Sequence, residues 1–456
     1  MEATNPGERN GDAGGTLWVT GWPAAGRRAM RAARGLLLVL ALTLGPTVVG
    51  PTVVGPSTVG PRIASAAQAT AATTWTMYQG NPAHTGQSPY VGLATFPLEL
   101  WRLHLAPLSS PGEKSTGMSV APDGTVYVST SGRLFAIDPT DASIKWTIDQ
   151  YDHSRSVPAI SPSGDLYWGF GDGFVSIAPD GQSDWIWTRL TGNFVFGSSP
   201  VIDADGNLYF SHDGVWSLTA AGDLRWFQPS GFFSHSSPAL GPDGTIYASV
   251  YQNFLAMNPN GTIKWSLPVE TSDHDPVVAS DGAVYVGAVP EQELAPARML
   301  ALNPNGTLRW TFLLDAPTSA VPMAPALGLD GTLYFGSNSY YHPEPSESAF
   351  YAVRPDGSLR WKRFFPTDGI LAAPAVVDAA GNLTFCMSLT VCYGLNADGD
   401  VLWQLRWPAD ALGPNGTSTV PLLIGDGRML FLDGRDMLRL YVDATDVVFL
   451  PIVQHP

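Results

Sequence analysis

The stretch Pro238-Ala-Leu-Gly-Pro-Asp-Gly-Thr-Ile-Tyr-Ala-Ser-Val250, followed by Asn253-Phe-Leu-Ala-Met-Asn-Pro-Asn-Gly-Thr-Ile-Lys-Trp265, reads as four short strands. The first ends at Asp243-Gly244, small residues that tolerate the positive φ of a hairpin turn, and Thr245-Ile-Tyr begins the second with period-two alternation. Phe254-Leu-Ala-Met257 is the third. Asn260-Gly261 makes the next turn, and Thr262-Ile-Lys-Trp265 opens an outer strand. Two marks of this unit recur eight times. The outer-strand tryptophan returns at Trp101, Trp146, Trp185, Trp226, Trp265, Trp310, Trp361 and Trp403, and the first turn at Asp123-Gly124, Ser163-Gly164, Asp205-Gly206, Asp243-Gly244, Asp281-Gly282, Asp330-Gly331, Ala380-Gly381 and Asp426-Gly427. The turn spacing of 38 to 50 residues is that of four-stranded propeller blades. A blade of this size cannot bury both faces alone, so stacking is required, and a tryptophan at one fixed position supplies apolar area between neighbours.

The ends of the array predict how it closes. The chain opens with an orphan outer strand, Leu98-Glu-Leu-Trp-Arg-Leu-His-Leu105, and finishes with Pro421-Leu-Leu-Ile, Met429-Leu-Phe-Leu and Leu438-Arg-Leu-Tyr-Val442, a blade without its tryptophan strand. Pairing these fragments gives an all-β, eight-bladed β-propeller of four-stranded antiparallel blades, with only short outer edges exposed. The organisation read from the sequence is therefore an export signal and linker over 1–69, a lead-in over 70–97, the propeller over 98–445 and an apolar tail over 446–456.

Composition agrees with this architecture. With 48 Gly, 39 Pro, 45% hydrophobic and 14% charged residues, the chain has a turn-rich globular balance. Met30-Arg-Ala-Ala-Arg34 precedes the apolar run Gly35-Leu-Leu-Leu-Val-Leu-Ala-Leu-Thr-Leu44, with small residues at Ala64-Ser-Ala66 and Ala67-Gln-Ala69. This is the pattern of a secretory signal, the run being about half of the roughly 20 residues a membrane span needs. Met30 is an alternative start, and Arg27-Arg28 allows a twin-arginine reading. The Gly/Pro/Val/Thr repeat from Gly45 to Pro61 is low complexity and belongs with the export segment. The expected location is secreted or extracytoplasmic, in the periplasm or at the cell surface. Removing residues 1–69, with six basic and three acidic residues, leaves 18 basic against 37 acidic, a net charge of −19. Such a charge argues against nucleic acid and anionic membranes as partners. The mature chain is expected to be a monomer without a transmembrane span. Its two cysteines, Cys386 and Cys392, flank a hairpin tip in the seventh blade; a disulfide in an oxidising compartment and two buried thiols on adjacent strands are both compatible with their spacing.

The segment Ala136-Ile-Asp-Pro-Thr-Asp-Ala-Ser-Ile-Lys-Trp146 resembles the tryptophan-docking repeat of quinoprotein dehydrogenases, with Asp141-Ala142 in place of Thr-Gly. Trp75-Thr-Met-Tyr-Gln-Gly-Asn-Pro-Ala-His-Thr-Gly86 is similar to the start of many secreted PQQ-like, BamB-like propellers. The resemblance covers residues 75–445 and implies the fold; the family holds both cofactor-dependent oxidases and non-enzymatic scaffolds, so it implies no single activity. In the dehydrogenases, a disulfide of adjacent cysteines stacks on the quinone and a calcium ion polarises it. This chain has no adjacent cysteines and no Cys-x-x-Cys-His haem attachment, so no cofactor is expected, PQQ with calcium being the alternative.

Function is sought in what the repeats do not share. The first and last turns of each blade lie on one side, whereas the middle loops and the crossings between blades lie on the other. The second side varies: Val289-Pro-Glu-Gln-Glu-Leu-Ala-Pro-Ala-Arg298 and Asn338-Ser-Tyr-Tyr-His-Pro-Glu-Pro-Ser-Glu-Ser348 are long insertions. Loops on a rigid scaffold are where binding resides. From the crossings, Arg155, Ser198, His235, Asp273, His274 and Asp275 are candidates for a polar funnel at the channel mouth, with Phe196, Phe232, Phe233, Tyr340, Tyr341 and His342 completing the candidate binding face. The alternative is that these residues satisfy crossing backbones and line a water-filled channel. His235, His274, Asp273 and Asp275 carry metal-binding groups, but no spacing rule supports a metal and none is expected. Asp203-Ala-Asp-Gly-Asn207 and Asn396-Ala-Asp-Gly-Asp400 lack the remaining ligands of a calcium loop and read as turns. No nucleophile elbow, P-loop or His-Glu-x-x-His helix is present. The expected function is a non-enzymatic scaffold for a protein or cell-envelope partner; the alternatives are a quinoprotein-type oxidoreductase and a carbohydrate-binding propeller.

Overall fold

The computed structural model describes residues 75–444 except 106–114, 131, 150–153, 155, 172, 189–197, 231–233, 272–273, 290–295, 315–318, 321–323, 340–347, 366–373, 388–390, 408–419 and 434–436. Eight antiparallel sheets surround a channel. We number the blades 1 to 8 by their innermost strands: Ser115–Val120, Ala159–Ile160, Val201–Ile202, Ala239–Leu240, Val277–Val278, Ala326–Leu327, Val376–Val377 and Leu422–Gly425. Blade 4 continues with Ile246–Val250, Asn253–Met257 and Ile263–Leu267. Blade 6 adds a two-residue strand, Ser319–Ala320, that the repeat pattern does not announce. In blade 8, Pro97–His104 pairs antiparallel with Met437–Asp443, so the orphan N-terminal strand closes the ring.

Register explains the composition of each blade. Tyr247 pairs with Ala256, and Ala256 with Trp265, so the two aromatic rings meet across a methyl group, centroids 5.9 Å apart. The same trio is Tyr127, Ala136 and Trp146 in blade 1 and Tyr334, Ala352 and Trp361 in blade 6; Ser176 and Ser217 take the middle place in blades 2 and 3. A larger middle residue would separate the rings. In blade 7 that place is Gly394, beneath Trp403 with no room for a Cβ.

The tryptophans then reach across the blade boundary. Trp146, Trp185, Trp226, Trp265, Trp310 and Trp361 each donate the indole Nε1–H to a carbonyl in the last turn of the next blade, at 2.8 to 3.0 Å. The turn glycine lies flat on the ring it receives. A Cβ on Gly261, at φ +87°, would stand 2.7 Å from Trp226 Cδ2, so glycine is required both by the backbone and by the space. Each indole bond contributes about 1 kcal/mol net, in addition to the apolar area it seals. The two contacts flanking blade 8 differ. Trp101 docks on Pro139 at 3.2 Å, where Ala142 replaces the glycine and is held at φ +62°. Trp403 docks at 2.7 Å on Leu93, a residue that precedes the first strand.

That preceding segment is structural, which its reading as a lead-in does not convey. Residues 75–94 follow the ring in blade order. Val120, Ile160, Leu240, Val278, Leu327 and Val377, each closing an innermost strand except in blade 8, donate backbone N–H groups to the carbonyls of Trp75, Thr76, Pro82, Ala83, Thr85 and Gly86, and Gly427 donates to Val91. Blade 3 is met by Met77, which packs among Val201, Ile202 and Leu240. One segment thus satisfies innermost backbone donors that no fifth strand is there to pair, and its buried side chains, Trp75, Met77, Gln79 and His84, fill the end of the channel on the side of the first turns. The segment's own geometry is unusual: Gln79 and His84 sit at φ +52° and +58°. Burial holds the His84 imidazole down to about 3, the Pro276 carbonyl opposing that shift.

Two outcomes follow for stability. Gly261→Ala forces both a strained φ and a clash with Trp226, and should cost about 2–3 kcal/mol, whereas Ala142→Gly removes left-handed strain and should add about 0.5–1 kcal/mol; urea unfolding of the two variants checks the opposite signs. For His84, the folded value lies below the unfolded value near 6.5, so the unfolded chain takes up a proton first on acidification. Its share of stability is complete above pH 6.5 and lost as pH falls toward 3, at roughly 1.4 kcal/mol per pH unit. His84→Asn, neutral and tolerant of positive φ, should flatten the pH dependence of unfolding between pH 6.5 and 4.5; parallel curves for the two proteins would sink this account.

Candidate functional site

The channel wall on the crossing side is built from the residues just before each innermost strand. Proline opens that approach at Pro158, Pro200, Pro238 and Pro276, and it holds its predecessor extended. The predecessor's backbone N–H then points to the next blade. Val157 N–H donates to Ser199 Oγ at 2.9 Å, Ser199 N–H to Ser237 Oγ at 3.0 Å, and Ser237 N–H to Asp275 Oδ1 at 2.5 Å. These bonds form a belt from blade 2 to blade 5. Its signal in the sequence is a short polar residue before proline at three successive repeats, Ser199, Ser237 and Asp275.

Asp275 ends the belt, and Tyr78 of the N-terminal segment hydrogen-bonds its carboxylate. Burial, and then the Asp275 charge, push the Tyr78 hydroxyl well above its ordinary value, so it stays protonated and donates. The Tyr78 ring in turn meets the His84 ring edge-on at 5.2 Å. The belt is thereby tied to the segment that fills the opposite end of the channel.

The sequence places Ser198 and His274 on a binding face; in the structure both are buried, the Ser198 hydroxyl serving a backbone donor and the His274 backbone being held by serine hydroxyls. Ser198 Oγ accepts the Ser211 N–H at 3.0 Å. The His274 carbonyl accepts the hydroxyls of Ser236 at 3.1 Å and Ser249 at 2.6 Å. The cause is that a crossing chain carries polar backbone groups into the interior, where side chains must pair them. Asp275 is partly buried in its belt role, and His235 is exposed. Arg155, Phe196, Phe232, Phe233, Asp273, Tyr340, Tyr341 and His342 lie outside the described residues.

Among the described residues no group of three or more His, Cys, Asp or Glu side chains could hold a metal ion. In the turn at Asp203, the carboxylate takes the N–H groups of Asp205 and Asn207 and the Tyr209 hydroxyl, which is turn chemistry. Cys386 and Cys392 face each other in register on the second and third strands of blade 7 and are joined by a disulfide. Both are fully buried in the wall, six residues apart, so they cannot form the exposed pair of adjacent cysteines that would stack on a quinone.

The two sides of the ring differ in how their polar groups are used. On the side of the first turns, the Asp243, Asp281 and Asp330 carboxylates each accept a backbone N–H of their own turn, and they pair with Lys264, Arg309 and Arg360 at 2.8 to 3.0 Å. On the other side, the connection between second and third strands is two residues long in blade 4 and runs over 289–297 in blade 5 and 340–347 in blade 6. No helix of the described residues is long and apolar enough to cross a membrane.

Comparison with known proteins places this architecture. No curated protein matches the chain in sequence. Among solved structures, the quinohemoprotein alcohol dehydrogenase of Comamonas testosteroni is similar, with a TM-score of 0.63 and 12% identity over 84% of this chain and 82% of that one. A europium-containing methanol dehydrogenase gives 0.59 and 12% over 79% and 89%. BamB from Moraxella catarrhalis gives 0.53 and 12% over 76% and 99%. At such identities these likenesses concern the fold alone. The sequence model described as outer membrane protein assembly factor BamB matches residues 98–295 and 212–392, and the chain therefore belongs to this PQQ-like, BamB-type β-propeller family.

Proposed function

We propose that this protein is an extracytoplasmic, non-enzymatic propeller that binds a protein or cell-envelope partner on the side of its middle loops and blade crossings. The observation that carries the reading is the N-terminal segment, residues 75–94, which fills the channel at the opposite side and ties down seven of the eight blades there by hydrogen bonds. On that filled side, Asp243, Asp281 and Asp330 are engaged in their own turns and in ion pairs. Variation is concentrated on the other side, in connections that a rigid ring can display. The buried disulfide between Cys386 and Cys392, six residues apart, supports a binding role over quinone chemistry. The export pattern of residues 30–69 supports an extracytoplasmic location.

The test compares the two sides in the full chain. Shortening residues 289–297 and 340–347 to the two-residue connection of blade 4 should lower retention of the partner captured from cell-envelope extract about tenfold or more, with a melting temperature within about 2 °C of the parent. Charge reversal at Lys264 and Arg309 should leave retention unchanged. Loss of retention on charge reversal alone, or a melting temperature raised by PQQ with calcium, would overturn the reading, because a ligand of the native state stabilises it.

A further inference from the structure

The point where the chain leaves its last strand is surrounded by exposed apolar side chains. Asp443 pairs with Pro97, its N–H donates to the Gly427 carbonyl, and the Gly427 N–H donates to Val91. The Asp443 carboxylate accepts the Ala94 N–H at 2.9 Å and also bonds Thr95. Val91 and Phe96 therefore flank Asp443, and they are 41% and 60% exposed. Phe96 is among the most exposed large apolar residues described. It lies beside the seam where Trp403 docks on Leu93 instead of on a standard turn.

The sequence after Asp443 is Ala444-Thr-Asp-Val-Val-Phe-Leu-Pro-Ile-Val453. Val447 follows Asp443 by four residues, so at about 3.3 Å per residue it lies within about 13 Å of the strand end. An apolar run is thus tethered next to an apolar patch, at an effective concentration that a short linker raises to the millimolar range. Exposing both would leave two adjoining apolar surfaces in water, which burial against each other removes.

We infer that the apolar segment Val447–Val453 docks on the patch formed by Val91, Ala94 and Phe96, covering the seam between blades 7 and 8. The occupant is this chain's own continuation, and the docking is independent of the partner-binding side. The segment gives the irregular seam a strap in place of the turn that other blades supply. Pro451 fits this role, since it removes a donor from a segment held by side chains at a sheet edge.

The test uses the full chain with paired substitutions Val91→Cys and Val448→Cys; its two native cysteines are already bonded to each other. An intramolecular disulfide that forms independently of protein concentration is expected. Deleting 446–456 should lower the melting temperature by about 2–4 °C and raise dye binding to exposed apolar surface, and Phe96→Ala should remove most of that difference between long and short chains. A cross-link that joins two chains and rises with concentration would assign the patch to a second copy and overturn the inference. So would additive effects of the deletion and Phe96→Ala, or loss of binding to vesicles of anionic lipid on deletion with no change in stability.

Discussion

The indole N–H that crosses a blade boundary to a carbonyl, with a glycine flat against the ring, is the contact on which the rest of the structure depends. A four-stranded sheet can bury neither face by itself, and this contact fixes how far each blade is rotated onto its neighbour. The contact has narrow requirements. The residue between Tyr and Trp must be small, the turn residue must accept a left-handed φ, and the carbonyl must face the incoming ring. Blades that meet all three, as at Trp226 on Gly261 and Pro259, follow one another with little variation.

A ring built this way leaves innermost strands of only two residues in six blades, and the backbone beside them has to be paired in the channel. Two devices accomplish this at different levels. The N-terminal segment supplies carbonyls at the end near the first turns, and the Ser199, Ser237 and Asp275 side chains supply oxygens toward the crossings. The bond from Tyr78 to Asp275 couples them. Much of the polar capacity beside the innermost strands is thereby committed to the fold.

The ring and its closure were legible because they rest on side chains at fixed intervals: Trp at the outer strand, Asp-Gly at the first turn, and an orphan strand at each end. The N-terminal segment was not legible as a channel filler because it acts through backbone carbonyls, which any residue supplies; Trp75 to Gly86 showed a family likeness without showing a position. The inward direction of Ser198 was open for a related reason. A polar side chain in a crossing has the same sequence signature whether it faces solvent or, as here, an interior backbone group. His84 is similar: its burial follows from the path of the segment, which no periodicity encodes.

The closing blade shows how the fold manages its least regular place. Both nonstandard tryptophan contacts flank blade 8, with Trp101 at a turn lacking its glycine and Trp403 on the N-terminal segment. There the ends of the chain are joined by a charged network: Arg439, nearly buried, reaches Glu99 at 2.8 Å and Asp433 at 3.2 Å, and Glu99 also accepts the Tyr441 hydroxyl. Buried ion pairs add little net stability against apolar packing, but a mispaired register strands their charges at a cost of several kcal/mol. A strand pairing formed between the two ends of a chain gets no help from a short turn in choosing its register. The alternation of Leu98, Leu103, Leu438 and Leu440 would by itself tolerate a slip of two residues, since such a slip keeps the apolar face inward. Glu99 and Arg439 exclude that slip, so the charges give the closure the specificity that hairpin turns give elsewhere in the ring.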